Sequence, residues 1–267
     1  MEYKSFIDTI LQEASKIALE KFGNVSGITK TGDNNQVLTD ADLAIGKYLI
    51  SKVEETYPEY NIIDEEAGAI DKKSTFTWVI DPIDGTSNFA QGIPLYGIMI
   101  GLLDNDIPVA GGIALPFFEE IYSAEKNQGA YCNNQKIHAT KETNLLSTLV
   151  AYTIDGHQEN PEYTRNEAKV IGEIVLVIRN LRASGSCFDV VMVAKGKYGG
   201  YINQTSKIWD NVAAQILLEE AGCVYTDFNG NKISYEHPLT KAKDNYTFCA
   251  APKDLHTQLQ QIIHKSN

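Results

Sequence analysis

The segment at residues 77–89, TWVIDPIDGTSNF, constrains the fold of this chain more than any other part of the sequence. It begins as an apolar strand and then presents two carboxylates, Asp81 and Asp84, just before a turn of small residues. A strand that ends at Asp81 places that carboxylate at the carboxyl-terminal edge of a sheet, where layered α/β folds usually bind ligands. Because Pro82 has no N–H group to donate, we expect the strand to stop and the chain to turn there, which brings Asp84 back beside Asp81.

Two interpretations of this carboxylate pair fit the sequence. Asp-Pro and Asp-Gly are common turn pairs, so both residues could serve only to form the turn. Alternatively, a cation lies between the two carboxylates, which otherwise repel each other unless one is protonated. Magnesium suits that position, because it prefers oxygen ligands and keeps coordination positions open for a phosphate. Gly85 permits a tight backbone, and residues 86–88 can begin a helix whose free N–H groups face a bound anion.

Further acidic residues favour the metal interpretation. Glu65, in the segment Asp64-Glu65-Glu66, follows a short apolar strand and could face the same sheet edge, although a solvated acidic loop is the simpler explanation. Asp210 stands at the start of a predicted helix and Asp42 lies in the segment 39–42 before another, where capping is the simpler role. A helix dipole also keeps such a carboxylate ionised and able to ligate a cation. Together these residues predict an all-oxygen site for metal-assisted phosphate chemistry.

Hydrophobic periodicity predicts two helices and a multi-strand sheet in the first half of the chain, and alternating helices and strands in the second half. The predicted helices cover residues 6–22, 41–57, 161–178, 187–195, 210–221 and 254–263. The predicted strands cover residues 60–63, 76–80, 95–103, 109–115, 120–124, 146–152, 200–202, 223–226 and 246–250. Residues 26–36 are polar and predict a loop, and Leu43 is among the residues of the second helix expected to face inward.

This pattern indicates a layered α/β (α+β) fold. We expect an N-terminal lobe at residues 1–139 that carries most of the metal ligands. A C-terminal lobe at residues 140–267 would complete the active site.

Composition and charge restrict the function. Of the 267 residues, 43% are hydrophobic and 22% are charged, which is typical of a folded protein with a large core. The formal net charge of -12 disfavours direct binding to nucleic acid and to anionic membranes. It would also repel an anionic substrate unless cations lie between them. The four cysteines form no CxxC pair and residues 1–22 contain no continuous apolar run, so we expect a reduced, cytoplasmic protein.

Over almost its whole length the sequence resembles the inositol monophosphatase family of magnesium-dependent, lithium-sensitive phosphomonoesterases. The motifs that carry the resemblance are WVIDPIDGTSNF, IWDNVAAQILLEEAG, VLTDAD, DEEAG and FCAAPKD. The resemblance implies a layered αβαβα fold of the inositol monophosphatase and fructose-bisphosphatase type, and a homodimer. It implies two or three bound Mg²⁺ ions, with Asp42 helping a further, weaker metal. The residues that match the metal-ligand positions are Glu65, Asp81, Asp84 and Asp210, together with the backbone carbonyl of Ile83.

The resemblance also implies catalytic and substrate-binding roles. The amides of Gly85 and Thr86 would hold phosphate, and the Thr86 hydroxyl, with Glu65, would orient the attacking water; Asp42 belongs to the same catalytic group. The residues that match substrate-binding positions are Asp84, Gly85, Thr86, Gly185, Ser186, Cys187, Asn203 and Asp210.

Three positions depart from the family pattern. Cys187 stands where an alanine is more usual, and Gly46 stands where an acidic residue is often found. Asn203 stands where inositol-preferring members often carry a glutamate that holds ring hydroxyls; asparagine can still form hydrogen bonds but has no charge. The predicted metal-binding set is therefore complete, while the preference for inositol is open.

The expected function is hydrolysis of a small cyclitol or sugar phosphate, with inositol 1-phosphate first, by attack of a metal-activated water. The alternative substrates are histidinol phosphate, NADP, 3'-phosphoadenosine 5'-phosphate and fructose 1,6-bisphosphate. A regulatory binding protein without catalytic activity is the alternative from another class. A protein that keeps the fold but has lost catalysis is expected to lose Glu65, Asp84 or Thr86, and this sequence keeps all three.

Overall fold

The computed structural model describes residues 2–24, 28–29 and 37–266. Its α-helices are α1 (Glu2–Lys21), α2 (Asp40–Thr56), α3 (Thr86–Ala90), α4 (Pro161–Val175), α5 (Phe188–Ala194), α6 (Ile208–Glu220) and α7 (Lys253–Ser266). Its strands are β1 (Ile28–Thr29), β2 (Val37–Leu38), β3 (Asn61–Asp64), β4 (Gly68–Ile70), β5 (Phe76–Asp84), β6 (Gly97–Asp104), β7 (Ile107–Leu115), β8 (Glu120–Glu125), β9 (Gly129–Cys132), β10 (Gln135–Ile137), β11 (Leu149–Thr153), β12 (Asn180–Arg182), β13 (Gly200–Ser206), β14 (Cys223–Thr226) and β15 (Tyr246–Pro252). Short 3₁₀ helices lie at Pro116–Phe118 and Leu145–Ser147.

Two mixed sheets form the centre of the fold. The larger sheet has eight strands in the order β10-β9-β8-β7-β6-β5-β3-β4; β3 and β5 are parallel, and the other neighbours are antiparallel. The smaller sheet has five strands in the order β12-β11-β13-β15-β14. In it, β11 is parallel to both of its neighbours and β15 is antiparallel to both of its own. A separate two-stranded sheet pairs β1 with β2.

Two consecutive glycines of β7 show how helices cover both faces of the larger sheet. A Cβ atom on Gly111 would lie 2.7 Å from Cγ2 of Ile216 in α6, and one on Gly112 would collide with Cγ2 of Ile7 in α1. Because successive residues of a strand face opposite sides of the sheet, α1 and α6 lie on opposite faces. The missing side chains allow both helices to approach the strand closely.

The apolar cores follow the same layers. Helices α1 and α2 bury their apolar faces against the outer side of the larger sheet. Between the sheets, Leu217 of α6 belongs to one core with Tyr122 of the larger sheet and Phe248 of the smaller sheet. Ile174 of α4 and Leu259 of α7 belong to a core on the outer face of the smaller sheet. The resulting order of helix, sheet, helix, sheet and helix layers confirms the predicted αβαβα fold.

The strand that carries the acidic pair does not end where the sequence predicted. Asp81 pairs with Met99 and Asp84 pairs with Gly97, so β5 has one residue more than β6 in this interval, which is a β-bulge. Pro82 lies in the bulge, where its missing N–H leaves no ladder hydrogen bond unmade. Asp81 and Asp84 are three residues apart, and in a regular strand such residues face opposite sides of the sheet. The extra residue in the bulge places both carboxylates on the same side. The expected turn at Pro82 was therefore wrong.

Several other predictions need correction. Helix α6 begins at Ile208, so Asp210 lies inside its first turn and Lys207 is the N-cap residue. Leu43 is 53% exposed and does not face the core. The sequence missed β4, β9, β10 and β12, which are short strands. The predicted loop at residues 26–36 falls outside the described residues except at 28–29, which form β1 instead.

Each large sheet is built from one half of the chain. The larger sheet ends with β10 and the smaller one begins with β11. Helix α6, from the second half, nevertheless packs against the larger sheet through residues such as Val212, whose Cγ1 would lie 2.6 Å from a Cβ on Gly101. The division into lobes at 139/140 stays a prediction.

In the described part of the chain, no helix has both the length and the apolar character needed to cross a bilayer. All four cysteines carry free thiols.

Candidate metal centre and substrate cavity

Three of the predicted carboxylates converge. One oxygen atom from each of Asp81, Asp84 and Asp210 lies within 4.8 Å of the others. Asp81 and Asp84 come from the bulged end of β5, and Asp210 comes from the first turn of α6. Asp81 is only 2% exposed and its Oδ1 accepts no hydrogen bond. A buried carboxylate oxygen without a donor is unfavourable, and a divalent cation that prefers oxygen ligands, such as Mg²⁺, fits this donor set.

Burial and neighbouring carboxylates disfavour the charged form of each of the three carboxyl groups. Burial, and then the charges of Glu65 and Asp84, raise the pKa of Asp81 well above its usual range. Burial raises the pKa of Asp84 to about 6, against the lowering effect of a hydrogen bond from Cys187. Burial and the charge of Asp84 raise the pKa of Asp210 to about 7. A cation between them would favour the ionised forms and so offset these shifts.

A cleft of about 170 Å³ contains these carboxylates. Its lining includes Glu65 and Ile83, the remaining predicted metal ligands, as well as Gly85 and Thr86. The full lining is Glu65, Asp81, Ile83, Asp84, Gly85, Thr86, Ser87, Gly185, Thr205, Lys207, Trp209 and Asp210. The parallel pairing of β3 with β5 brings Glu65 to this edge, because Glu65 follows directly after β3.

The residue before Glu65 has a structural role. Oδ1 of Asp64 accepts hydrogen bonds from the backbone N–H groups of Glu66 and Ala67, at 2.9 and 2.7 Å. Asp64 therefore shapes the turn between β3 and β4, which positions Glu65 at the mouth of the cleft.

Asp42 and Asp210 occupy equivalent positions in their helices. Each is the third helical residue, and each Oδ2 accepts a hydrogen bond from the backbone N–H of the N-cap residue: Thr39 at 2.8 Å and Lys207 at 2.6 Å. The capping role expected from the sequence is thus real, at the third helical position and not at the N-cap. The second oxygen remains for the site: that of Asp42 accepts from the Thr86 hydroxyl at 3.2 Å. Asp42 itself is fully buried behind Thr86 and does not line the cleft.

The backbone at Gly85 requires glycine. Its φ of +86° is left-handed, and a Cβ there would lie 2.7 Å from Cβ of Ser186. Helix α3 begins at the next residue, so its first N–H groups have no helical carbonyl partner, and Gly85 and Thr86 both line the cleft. The Thr86 hydroxyl also lies 2.8 Å from the carbonyl oxygen of Ile83, to which it donates.

A second cavity of about 380 Å³ adjoins the cleft, and Asp84, Gly185, Thr205 and Asp210 line both. Its lining includes the remaining predicted substrate-binding residues, which are Gly185, Ser186, Cys187 and Asn203. The structure therefore brings every predicted substrate-binding residue to the cleft or to the cavity.

Two hydrogen bonds fix the wall between the spaces. The backbone N–H of Cys187 donates to Oδ2 of Asp84. Oδ1 of Asn203 accepts from the N–H of Thr205 at 2.8 Å. The segment that lines the cavity thus also holds a predicted metal ligand in place.

Sequence reasoning did not assign several residues that line the two spaces, among them Lys207, Trp209, Asp155 and Thr205. Lys207 and Trp209 line the cleft, and their signal was available, since they stand within three positions of Asp210. Asp155 and Thr205 line the cavity, and no local pattern marks them. They meet because β11 and β13 run parallel, and Thr153 at the end of β11 lies opposite Asn203, two residues before Thr205.

An αβαβα fold with an acidic cleft at a strand-to-helix junction is the arrangement expected of a metal-dependent phosphatase. The model of the inositol monophosphatase family matches residues 2–267, and the chain belongs to this family. Members of the family are phosphomonoesterases.

Individual relatives agree with this assignment. Inositol monophosphatase 1 of Bos taurus is 29% identical over 252 residues, which are 92% of this chain and 91% of the relative. The Nus factor SuhB of Xylella fastidiosa is 31% identical over 193 residues, 72% of this chain and 69% of the relative. The crystal structure of the extragenic suppressor protein suhB from Bartonella henselae superimposes with a TM-score of 0.88, covering 99% of both chains at 22% identity.

Proposed function

We propose that this protein is a Mg²⁺-dependent phosphomonoesterase that hydrolyses a small cyclitol or sugar phosphate, with inositol 1-phosphate as the foremost candidate. The observation that carries the proposal is the convergence of Asp81, Asp84 and Asp210 within 4.8 Å, together with a buried oxygen of Asp81 that accepts no hydrogen bond. Membership of a phosphomonoesterase family supports it.

The cleft residues divide into three roles. Glu65, Asp81, Asp84 and Asp210, with the Ile83 carbonyl, would hold two or three Mg²⁺ ions, and Asp42 would support the weakest of them through Thr86. Bound cations would supply Lewis-acid chemistry, which activates water and neutralises charge on the ester oxygens. The chain itself would then bind the phosphate, orient the water and hold the alcohol.

The start of α3 would bind the phosphate. The N–H groups of Gly85 and Thr86 would donate to the phosphate oxygens, as expected where a helix begins at a site for an anion. The left-handed backbone of Gly85 would direct these groups, and Ser186 lies so close that a residue with a Cβ does not fit there.

Thr86 and Glu65 would orient the attacking water. The single hydroxyl proton of Thr86 is directed towards Asp42 and the Ile83 carbonyl, so the lone pairs of Oγ1 remain available to accept a hydrogen bond from water. Glu65 lines the same cleft and would accept the second proton. Thr86 and Glu65 would thereby orient the water, and Glu65 would take up its second proton as the oxygen bonds to phosphorus and the P–O bond to the alcohol breaks.

The adjoining cavity would hold the alcohol of the substrate. Gly185, Ser186, Cys187 and Asn203 line it, and its volume of about 380 Å³ is sufficient for a small sugar or cyclitol. Histidinol phosphate, NADP, 3'-phosphoadenosine 5'-phosphate and fructose 1,6-bisphosphate are the alternative substrates.

A regulatory role is the second candidate, because relatives named Nus factor SuhB share the family with enzymes. The presence of Glu65, Asp84 and Thr86 in one cleft favours catalysis, since a purely regulatory chain has no need for this set. The two roles are compatible in one protein.

We also propose a cytoplasmic homodimer. The acidic net charge and the free cysteines support a reduced compartment without direct nucleic-acid or membrane contact. The exposed rings of Phe117 and Phe118, 51% and 41% accessible, support a self-association surface. Light scattering on purified protein tests the dimer.

A phosphate-release screen tests the function. The panel contains inositol 1-phosphate, histidinol phosphate, NADP, adenosine 3',5'-bisphosphate and fructose 1,6-bisphosphate, with and without Mg²⁺ and Li⁺. We expect Mg²⁺-dependent release that Li⁺ inhibits, and loss of release in Asp84→Asn while the protein stays folded. The exposed Asp254 supplies the control variant Asp254→Asn. Wild-type rates in Asp84→Asn would overturn the assignment of the metal site.

A further inference from the structure

The substrate cavity contains a carboxylate that the proposed reaction does not use. Asp155 follows β11 and lines the cavity, but it does not line the metal cleft. It lies on the side where the alcohol portion of a substrate would extend beyond the phosphate. A charged group at that place acts on the alcohol and not on the reacting phosphorus.

Asp155 is held in a fixed position. Its Oδ2 accepts a hydrogen bond of 2.5 Å from the Thr205 hydroxyl. Thr205 is positioned in turn by the hydrogen bond from its N–H to Oδ1 of Asn203. The backbone carbonyl of Asp155 accepts from the hydroxyl of Thr164 at 3.0 Å, which ties the loop to α4. The carboxylate is therefore anchored to the cavity wall from two sides.

The described charged side chains that line the cavity are all acidic. The described residues that line it include no lysine, arginine or histidine, while Asp84, Asp155 and Asp210 all contribute carboxylates. Cations bound in the cleft would balance Asp84 and Asp210, which line both spaces, but Asp155 lies outside that cleft. A second phosphate in the cavity would meet repulsion from Asp155, whereas an ammonium group would find a charged acceptor.

We propose that Asp155 is a specificity-determining residue that favours phosphate monoesters with an ammonium group on the alcohol and disfavours esters that carry a second phosphate. This inference rests on the proposed phosphatase function. The Asn203 amide adds to the selection: its oxygen is occupied by Thr205, so its NH₂ group is the part that can donate to a neighbouring hydroxyl of the substrate.

Matched pairs of esters test the inference. Glucosamine 6-phosphate has an ammonium group where glucose 6-phosphate has the C2 hydroxyl, and fructose 1,6-bisphosphate differs from fructose 1-phosphate by one added phosphate. For the wild type we expect kcat/KM about tenfold higher for glucosamine 6-phosphate than for glucose 6-phosphate. In Asp155→Asn this ratio should fall to about one, and the ratio of fructose 1,6-bisphosphate to fructose 1-phosphate should rise several-fold. Asp254→Asn, far from the cavity in sequence and exposed, should change neither ratio.

Binding separates failure of this inference from failure of the proposed function. The two hexoses are also tested as phosphonates, whose carbon–phosphorus bond is not hydrolysed, by calorimetry with Mg²⁺. If the amino phosphonate binds more tightly than the other and Asp155→Asn removes this difference, the inference is supported. This holds even if no ester is hydrolysed, and the phosphatase proposal alone then fails. Equal ratios in wild type and Asp155→Asn, in turnover and in binding, overturn the inference. So does failure of both phosphonates to bind.

Discussion

The Thr86 hydroxyl lies 3.2 Å from Oδ1 of Asp42, although the two residues are 44 positions apart in the sequence. Asp42 is fully buried, and its other oxygen is held by the N–H and hydroxyl groups of Thr39 at 2.8 and 2.6 Å. The hydroxyl of Thr86 is thus oriented by a carboxylate that cannot itself reach the cleft. This arrangement makes Asp42 a positioning residue for the group that would hold the attacking water.

Removal of the hydroxyl tests this arrangement. Valine matches threonine in shape, so we expect Thr86→Val to remain folded and to lose activity by about 100-fold or more, which is the usual contribution of a group that positions a proton. The measurement is kcat/KM for phosphate release, with circular dichroism to verify the fold. Thr86→Ser keeps the hydroxyl and should retain most of the activity. Equal rates for the valine and serine variants would contradict the role.

Alanine at Gly85 should damage the site through the backbone. The φ of +86° alone costs an L-residue about 1–2 kcal/mol, and the new Cβ would collide with Ser186. We expect a lower Tm and strongly reduced phosphate release. Gly172 lies within α4 and a Cβ there would meet no atom within 4 Å, so Gly172→Ala is the matched control and should be neutral or stabilising. A fully active Gly85→Ala variant would show that the left-handed turn is dispensable.

Mg²⁺ binding should be coupled to proton release. The pKa values of Asp84, about 6, and Asp210, about 7, are raised above those of an unfolded chain. In the metal-free protein the folded state therefore binds more protons than the unfolded state between about pH 4 and 7, so these groups reduce stability as pH rises through that window. A cation removes the penalty by favouring the ionised carboxylates.

Thermal unfolding at two pH values measures this coupling. We expect the rise in Tm caused by Mg²⁺, relative to protein in a chelator, to be larger at pH 8 than at pH 5.5. Calorimetry in buffers of different ionisation enthalpy should show protons leaving as Mg²⁺ binds at pH 6.5. An equal Mg²⁺ effect at both pH values would contradict the assignment of the raised pKa values to the metal site.

Glutamate at position 203 should shift the substrate preference. Asn203 is 7% exposed and lines the cavity, where a carboxylate could accept hydrogen bonds from ring hydroxyls more strongly than an amide can. We expect Asn203→Glu to raise the kcat/KM ratio of inositol 1-phosphate to glucose 6-phosphate several-fold. Asn203→Gln controls for the added length without charge. An unchanged ratio in Asn203→Glu would discard this position as a determinant of selectivity.

The sequence predicted which carboxylates share the cleft better than it predicted the lining of the adjoining cavity. The predicted ligands Asp81 and Asp84 lie in one short motif, which local spacing identified, and Asp210 lies in a second motif that carries the family resemblance. Pro82 misled the strand assignment, because only the pairing with β6 reveals the bulge that accommodates it. Asp155 depends on parallel pairing of β11 with β13, which spans about 50 residues and leaves no local signal.

Glu167 provides a test of an acidic group outside the site. Its carboxylate is 1% exposed, neither oxygen accepts a hydrogen bond, and Nε2 of His157 lies 3.9 Å from Oε2, beyond hydrogen-bonding distance. Burial, and then the charge of Asp155, raise its pKa to about 7. An ionised Glu167 is therefore unfavourable at pH 8, whereas at pH 5.5 the carboxyl is mostly protonated in the folded state and most of the penalty is absent.

Replacement by the neutral isostere should consequently be stabilising in a pH-dependent manner. We expect Glu167→Gln to raise the Tm at pH 8 by a few degrees, which corresponds to about 1–2 kcal/mol for a chain of this size, and to have a smaller effect at pH 5.5. Exposed Glu162, on the same helix, supplies the control Glu162→Gln, for which no such pH dependence is expected. The change in Tm from wild type to Glu167→Gln decides the question. If this change is less favourable at pH 8 than at pH 5.5, the surroundings stabilise the ionised carboxylate.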